Sequence, residues 1–253
     1  MHAFKYFFHY DADIPPGLGV RNFSGTHLAW LSVTLAVMAI GVLVYSRQRE
    51  ATRLEVVKIL AVTMVLLDLA RTVWALSIGH FDLARMLPLH LCGAMVFLEF
   101  LAVFTGNRLL REATYSTGLP SGVMALLTPE PSGYPLLSFQ YLESIVVHAI
   151  LATIPLLWVV KDGFRPDYRY LPRVFLLLSA LAAVDAMVNP VLHSNYMFLS
   201  RAPAQTPIEL FDRWVGHPWY VGILFLCVIV VWTLLYLPWI SRTAARTRSR
   251  DRA

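Results

Sequence analysis

Apolar residues run through this chain in blocks of roughly 20, about what an α-helix rising 1.5 Å per residue needs to cross the hydrocarbon of a bilayer. The blocks predict spans near 26–46, 56–77, 86–106, 109–128, 136–160, 171–192 and 218–240. The expected fold class is therefore all-α, a polytopic transmembrane helical bundle of about seven spans. The fourth block holds Thr114, Tyr115, Ser116, Thr117, Gly118 and Pro120. Freed backbone groups cannot face lipid, so this span is expected to be kinked or packed inside the bundle. Around the bundle at 26–240 lie an N-terminal segment, 1–25, and a basic tail, 241–253. The aromatic run Phe4, Tyr6, Phe7, Phe8, Tyr10 suits an interfacial position, and Met1 to Pro16 lacks the apolar core of a cleaved signal peptide.

Composition supports this reading. With 57% hydrophobic and 15% charged residues in 253, there is too little polar surface to coat a particle in water. The net charge of +5 does not indicate a nucleic-acid partner, because the basic residues gather at the ends of the apolar blocks. On one side of the bundle fall Arg47, Arg49, Arg53, Arg108, Arg111, Lys161, Arg165, Arg169, Arg173 and the tail Arg242, Arg246, Arg248, Arg250 and Arg252. On the other side fall Lys5, Arg21, Arg85, Arg201 and Arg213. Fourteen against five predicts the N-terminus outside, the C-terminus in the cytoplasm, and a multi-pass protein of the cell membrane. The tail is expected to lie on anionic lipid. Cys92 and Cys227 both sit in apolar stretches without metal-ligand spacing, so neither a disulfide framework, a metal nor a cofactor is expected.

Ionisable groups at membrane depth cost about 2.5–3.5 kcal/mol each on insertion scales, so each needs a partner, a cavity or a task. Asp68 and Arg71 stand three apart on one helical face and can pair there. Gln140, Ser144 and His148 repeat at four-residue intervals with Glu143 alongside, and Asp185 and Asn189 repeat the interval in the sixth span. Comparing heights across alternating spans puts Arg71, His90, Cys92, Gln140, Glu143 and Asn189 in the outer half, and Asp68, His148 and Asp185 near the middle. Only Glu99 falls clearly deeper. Topology and spacing thus predict a polar pocket opening toward the outer leaflet, closed by the connection His193–His217. The plain alternative is interhelical hydrogen bonding.

Three stretches carry a family likeness: Leu87-Pro88-Leu89-His90-Leu91-Cys92, Asn195-Tyr196-Met197-Phe198-Leu199 and Gly216-His217-Pro218-Trp219-Tyr220. In these the chain resembles the YwaF-type integral membrane proteins of bacteria, from the third span to the seventh. It is more distantly similar to a eukaryotic transmembrane acyltransferase that remodels ether phospholipids. That resemblance implies acyl transfer through a cysteine, with Cys92 the matching residue. His148 would then serve as base, oriented by Glu143 or Asp185. His90 is the alternative if the turn at Pro88 is not a regular helix. Arg71 would hold the phosphate beside Gln140, and Asn189, Asn195 and Tyr196 would donate to an oxyanion. A competing class binds, moves or senses a small polar solute in the same pocket without chemistry, and a third is a structural subunit.

The charge count is checked by epitope tags on intact cells: an N-terminal tag should bind antibody directly, and a C-terminal tag only after permeabilisation.

Overall fold

A computed structural model of the chain describes residues 4–129, 133–203 and 206–250. Helix α1, Gly25–Ser46, starts where the Ser24 hydroxyl accepts the His27 N–H at 3.2 Å. Helix α2, Glu50–Ser77, begins six residues before the predicted span, because its first turn is polar; the exposed Glu55–Lys58 pair straddles the predicted boundary. The third predicted span is divided. A short α3, Leu83–Met86, is capped by the Asp82 carboxylate, and α4, Leu91–Thr105, follows only after an extended stretch. Pro88 supplies the reason: it lacks an N–H and disfavours helical backbone at Leu87, and His90 is left extended as the N-cap of α4.

Gly106, at φ +64°, ends α4 in the left-handed conformation, and the Asn107 side chain then caps α5, Arg108–Ala113, by accepting from Leu109 and Leu110. From Thr114 to Gly118 the backbone winds as a π-turn before α6, Leu119–Leu127. Every residue from Glu112 to Leu119 is buried. The fourth predicted span is thus both interrupted and interior, as its polar run requires. Helices α7, Phe139–Val160, and α8, Leu171–Leu192, follow their apolar blocks closely. After α9, Pro207–Val215, the last helix α10, Trp219–Arg250, runs ten residues past the predicted end at 240 into the basic tail. Tail residues 251–253 lie outside the described ones.

Among the described residues, five helices are long and apolar enough to cross a membrane: α1, α2, α7, α8 with the turn before it, and α10. The other two predicted spans are the shorter apolar α4 and the broken α5–α6 unit. No strand occurs among the described residues. Helix α7 stands at the centre, against α6, α2, α1 and α4, and its Leu151, Ile154 and Leu157 meet Met64 of α2 and Met95 of α4 in the core. The outward faces of α1, α8 and α10 remain apolar and exposed, for example at Val37, Leu176 and Leu234, as a lipid-facing surface requires.

One end of the bundle, where the Arg-rich connections gather, is tied by carboxylates. Glu112 is fully buried; its Oε1 accepts from Arg108 at 2.6 Å and from the Asp167 N–H at 3.0 Å, and its Oε2 accepts from the Tyr236 hydroxyl at 2.6 Å. One side chain therefore joins α5, the connection before α8, and α10. Asp162 does the same for α1 and α2, accepting from the Tyr45 hydroxyl and pairing with Arg53 at 3.0 Å. At the opposite end the N-terminal aromatic segment packs onto the bundle: the Phe7 carbonyl accepts from Phe139 N–H and the Phe8 carbonyl from the Trp74 indole.

Helices α6 and α7 approach closely at Gly122. A Cβ at Gly122 would stand 2.8 Å from the His148 carbonyl oxygen and 3.1 Å from Ala152 N, both backbone atoms that cannot step aside. Gly122→Val should therefore destabilise the protein by roughly 1–3 kcal/mol, whereas Gly41→Ala, placed in open space on α1, should leave the melting temperature in detergent unchanged or raised.

Candidate functional site

A cavity of about 940 Å³ opens at the end of the bundle that holds the N-terminal segment. Its walls come from α1 (His27, Trp30), α2 (Arg71), the lead-in to α4 (His90), α7 (Gln140, Tyr141, Ser144) and the connections around Tyr134 and Asn195. Aromatic and polar side chains alternate round it, a surface that suits an amphipathic guest rather than a purely apolar one.

Arg71 is the cation set deepest along the sequence of a span. Its Nη2 donates to Asp68 Oδ1 at 2.7 Å, closing the pair within α2 that the three-residue spacing predicts. Its Nε is buried without a hydrogen-bond partner among the described residues. A guanidinium carries five N–H donors, so most of this fork is unspent on the carboxylate, and the residue lines the cavity. Near the rim, Arg85 and Arg201 add positive charge, while Asp82 stands 3.7 Å from Arg85 and Asp11 adds a carboxylate beside Tyr134. Burial, with Asp11 alongside, pushes the Tyr134 phenol above its ordinary range, so it remains a neutral hydroxyl.

Of the sequence-predicted site residues, Arg71, His90, Gln140 and Asn195 line this cavity. Cys92, His148, Glu143, Asp185, Asn189 and Tyr196 do not, so the ten are not gathered in one chamber. Cys92 falls in the first turn of α4, half-buried against α6, with its thiol 3.9 Å from the Ser121 carbonyl. His148 donates from Nδ1 to the Ser144 carbonyl one turn back at 2.7 Å, which leaves Nε2 as the nitrogen with a lone pair. Glu143 is buried within electrostatic range of Arg71 and Asp68. Asp185 is buried in α8, and its Oδ2 has no partner among the described residues.

Asn189 and Tyr196 have a different task. Asn189 Oδ1 accepts from Tyr196 N–H and from the Ser194 hydroxyl, both at 2.8 Å, while its Nδ2 donates to the Tyr196 carbonyl at 3.1 Å. The backbone it grips is strained: His193, Met197 and Phe198 all have φ between +51° and +56°. Asn195 holds the next turn, accepting from Ser200 and Arg201 N–H. The fully buried Tyr196 reaches back to the lead-in of α4, donating to the Leu83 carbonyl at 2.5 Å and accepting from Leu87 N–H at 3.1 Å, with the His90 ring edge-on at 5.0 Å. From the other side Tyr220 donates to the Phe198 carbonyl and His217 Nε2 to the Leu199 carbonyl. The three stretches that carry the family likeness thus meet in space; His90, Asn195 and Phe198 of the first two line the cavity, and His217 and Tyr220 of the third hold the second from behind.

Sequence reasoning missed several of these residues. His27 accepts the Phe23 N–H on Nδ1 and donates from Nε2 to the Leu126 carbonyl, joining α1 to α6 beside the cavity. A histidine in the first turn of an otherwise apolar block was the available signal. Tyr134 and Trp30 had none, and Tyr10 stood out only as part of the interfacial aromatic run, because an aromatic residue at a membrane boundary has many ordinary uses. Among the described residues no group of three His, Cys, Asp or Glu side chains is placed to hold a metal ion.

Comparison with curated proteins and with solved structures finds no match. A family model, that of the TMEM164 family, matches residues 22–236, which takes in all seven predicted spans nearly to their ends and the three converging stretches. With most of its length matched, this multi-pass membrane protein belongs to the TMEM164 family.

Proposed function

We propose that the cavity receives the headgroup of a phospholipid or lysophospholipid, with Arg71 holding the phosphate. The observation that carries this reading is the unspent guanidinium: Arg71 lines the cavity wall, uses one nitrogen on Asp68, and keeps a buried Nε without an acceptor. Phosphate oxygens match that fork. The aromatic wall of Trp30, Tyr134 and Tyr141 suits the glycerol and upper acyl region, and the seat opens toward the leaflet that the charge count places outside.

The same reading extends to acyl transfer through Cys92. It is supported by the place of this thiol in the first turn of α4, two residues past His90 in the cavity wall, where free helix amides can serve an oxyanion. In that reaction the Cys92 sulfur attacks the ester carbonyl of a phospholipid and gives its proton to a base, His148 through Nε2 or His90. The ester C–O bond breaks, and the lysophospholipid leaves as the alcohol, taking that proton. A second lysophospholipid hydroxyl then attacks the thioester, its proton returns through the base, and the thiol is restored. Glu143 and Asp185 orient the histidine in this scheme, and Gln140 and Asn195 contact the headgroup.

Two measurements on purified protein test the reading. Lysophospholipid binding should weaken at least tenfold in Arg71→Gln, since a charge-assisted hydrogen bond is worth about 1.5–3 kcal/mol. Unchanged binding removes the headgroup assignment. Acyl exchange between phospholipid and lysophospholipid should vanish in Cys92→Ser and Cys92→Ala while binding persists. If both variants keep the exchange, or wild type shows none, the covalent step falls and the cavity is left as a binding site for an anionic solute or lipid.

A further inference from the structure

Between the cavity rim and the last span lies a helix that the proposed function does not use. Helix α9, Pro207–Val215, has nine residues. That is a rise of about 14 Å, too short to cross hydrocarbon. Its sequence is nonetheless sorted by face. At about 100° per residue, Leu210, Phe211 and Trp214 fall on one side with Ile208 and Val215, and Glu209, Asp212 and Arg213 on the other. The polar side closes on itself where Arg213 Nη2 donates to Glu209 Oε1 at 2.6 Å, one turn apart. The apolar side stays open: Leu210 is 45% exposed, Trp214 67% and Val215 42%.

What covers this face follows from where α9 is fastened. The helix packs against α10, and just past its end the Tyr220 N–H donates to the Gly216 carbonyl at 3.0 Å. Helix α10 is a span from its first residue, Trp219, which is 73% exposed, and its exposed Leu226, Ile229, Val230 and Leu234 face lipid. The open side of α9 is therefore held beside the point where a span leaves the hydrocarbon, at the level of the headgroups. Indoles favour that level, where the ring is buried and its N–H stays wet. The one basic residue of α9 is already paired with Glu209, so the helix offers no cationic cluster to anionic lipid; its hold on a bilayer comes from burying apolar side chains.

We propose that α9 lies in the plane of the leaflet at the cavity end, with Leu210 and Trp214 set among headgroups and upper acyl chains, and so fixes the cavity rim at the lipid boundary. The link to the rim is bonded at both ends of α9. Before it, the Thr206 hydroxyl donates to the Pro203 carbonyl at 2.7 Å. After it, His217 Nε2 donates to the Leu199 carbonyl at 3.2 Å and the Tyr220 hydroxyl to the Phe198 carbonyl at 2.5 Å. Phe198, Arg201, Ala202 and Pro203 line the cavity. This placement of the rim holds for any guest, so it stands apart from the phosphate assignment at Arg71.

The test uses the full chain in phosphatidylcholine vesicles. A carbene reagent carried on a phospholipid acyl chain should label wild type at Leu210 or Trp214, read by peptide mass, as well as along α10. Nitroxides are then attached at Leu210→Cys, Arg213→Cys or Trp214→Cys, with Cys92 and Cys227 replaced by serine. Relaxation by dissolved oxygen should exceed that by a water-soluble nickel chelate several-fold at Leu210→Cys and Trp214→Cys, and the order should reverse at Arg213→Cys. Relaxation dominated by nickel at all three positions overturns the proposal, as does wild type whose α9 escapes the carbene while α10 is labelled. So does shielding of Leu210→Cys and Trp214→Cys from both relaxants with spin coupling between chains, which makes the face a contact between two copies. If the cysteine variants do not fold, the wild-type labelling decides alone.

Discussion

Hydrocarbon supplies no hydrogen bonds, and this constraint organises the protein from end to end. The chain places carboxylates, guanidinium groups and strained backbone at or near membrane depth, and each must find its match inside the protein. Glu112 collects Arg108, the Asp167 amide and Tyr236; Asp68 takes Arg71; Asn189 binds both backbone groups of Tyr196. Where matching is complete, the result is a rigid joint. Where it stops short, at Arg71 Nε and at Glu99, buried polar atoms are left without a hydrogen-bond partner among the described residues.

The same constraint explains the irregular elements. The α5–α6 unit departs from α-helical geometry at Thr114–Gly118, and it does so with every residue around it buried, so that the displaced backbone never meets lipid. The left-handed residues His193, Met197 and Phe198 cost backbone energy, and they persist because Asn189, Tyr220 and His217 hold the flanking carbonyls and amides. In return the wall of the cavity is built from a short connection rather than a helix, and it reaches both the lead-in of α4 and the start of α10.

Much of the fold was legible because helices in lipid must announce themselves by length. The blocks ending at Ser46, Ser77 and Leu192 end as helices at those residues, and the polar run from Thr114 to Pro120 foretold a broken span. The site was less legible. Spacing finds neighbours on one helix, and it found Asp68 with Arg71 and Ser144 with His148. It does not say which way a helix is turned, so Cys92 and Asn189 face α6 and the strained connection instead of the cavity. Pro88 shows the limit well: its effect on the turn was foreseeable, but not that the freed His90 would lean on Tyr196, more than a hundred residues away. Residues such as His27 and Asp162 act between distant segments, and no periodicity along one helix can reveal that.

The two ends of the bundle are fastened very differently, and this bears on how anything enters. At the Arg-rich end, Glu112 and Asp162 pin five segments with short polar contacts, so that end behaves as a clasp. At the far end α8 and α10 are joined to the rest mainly through the Tyr196 connection and α9. A guest reaching the cavity therefore meets the end held by the Tyr196 connection, not the end closed by Glu112 and Asp162.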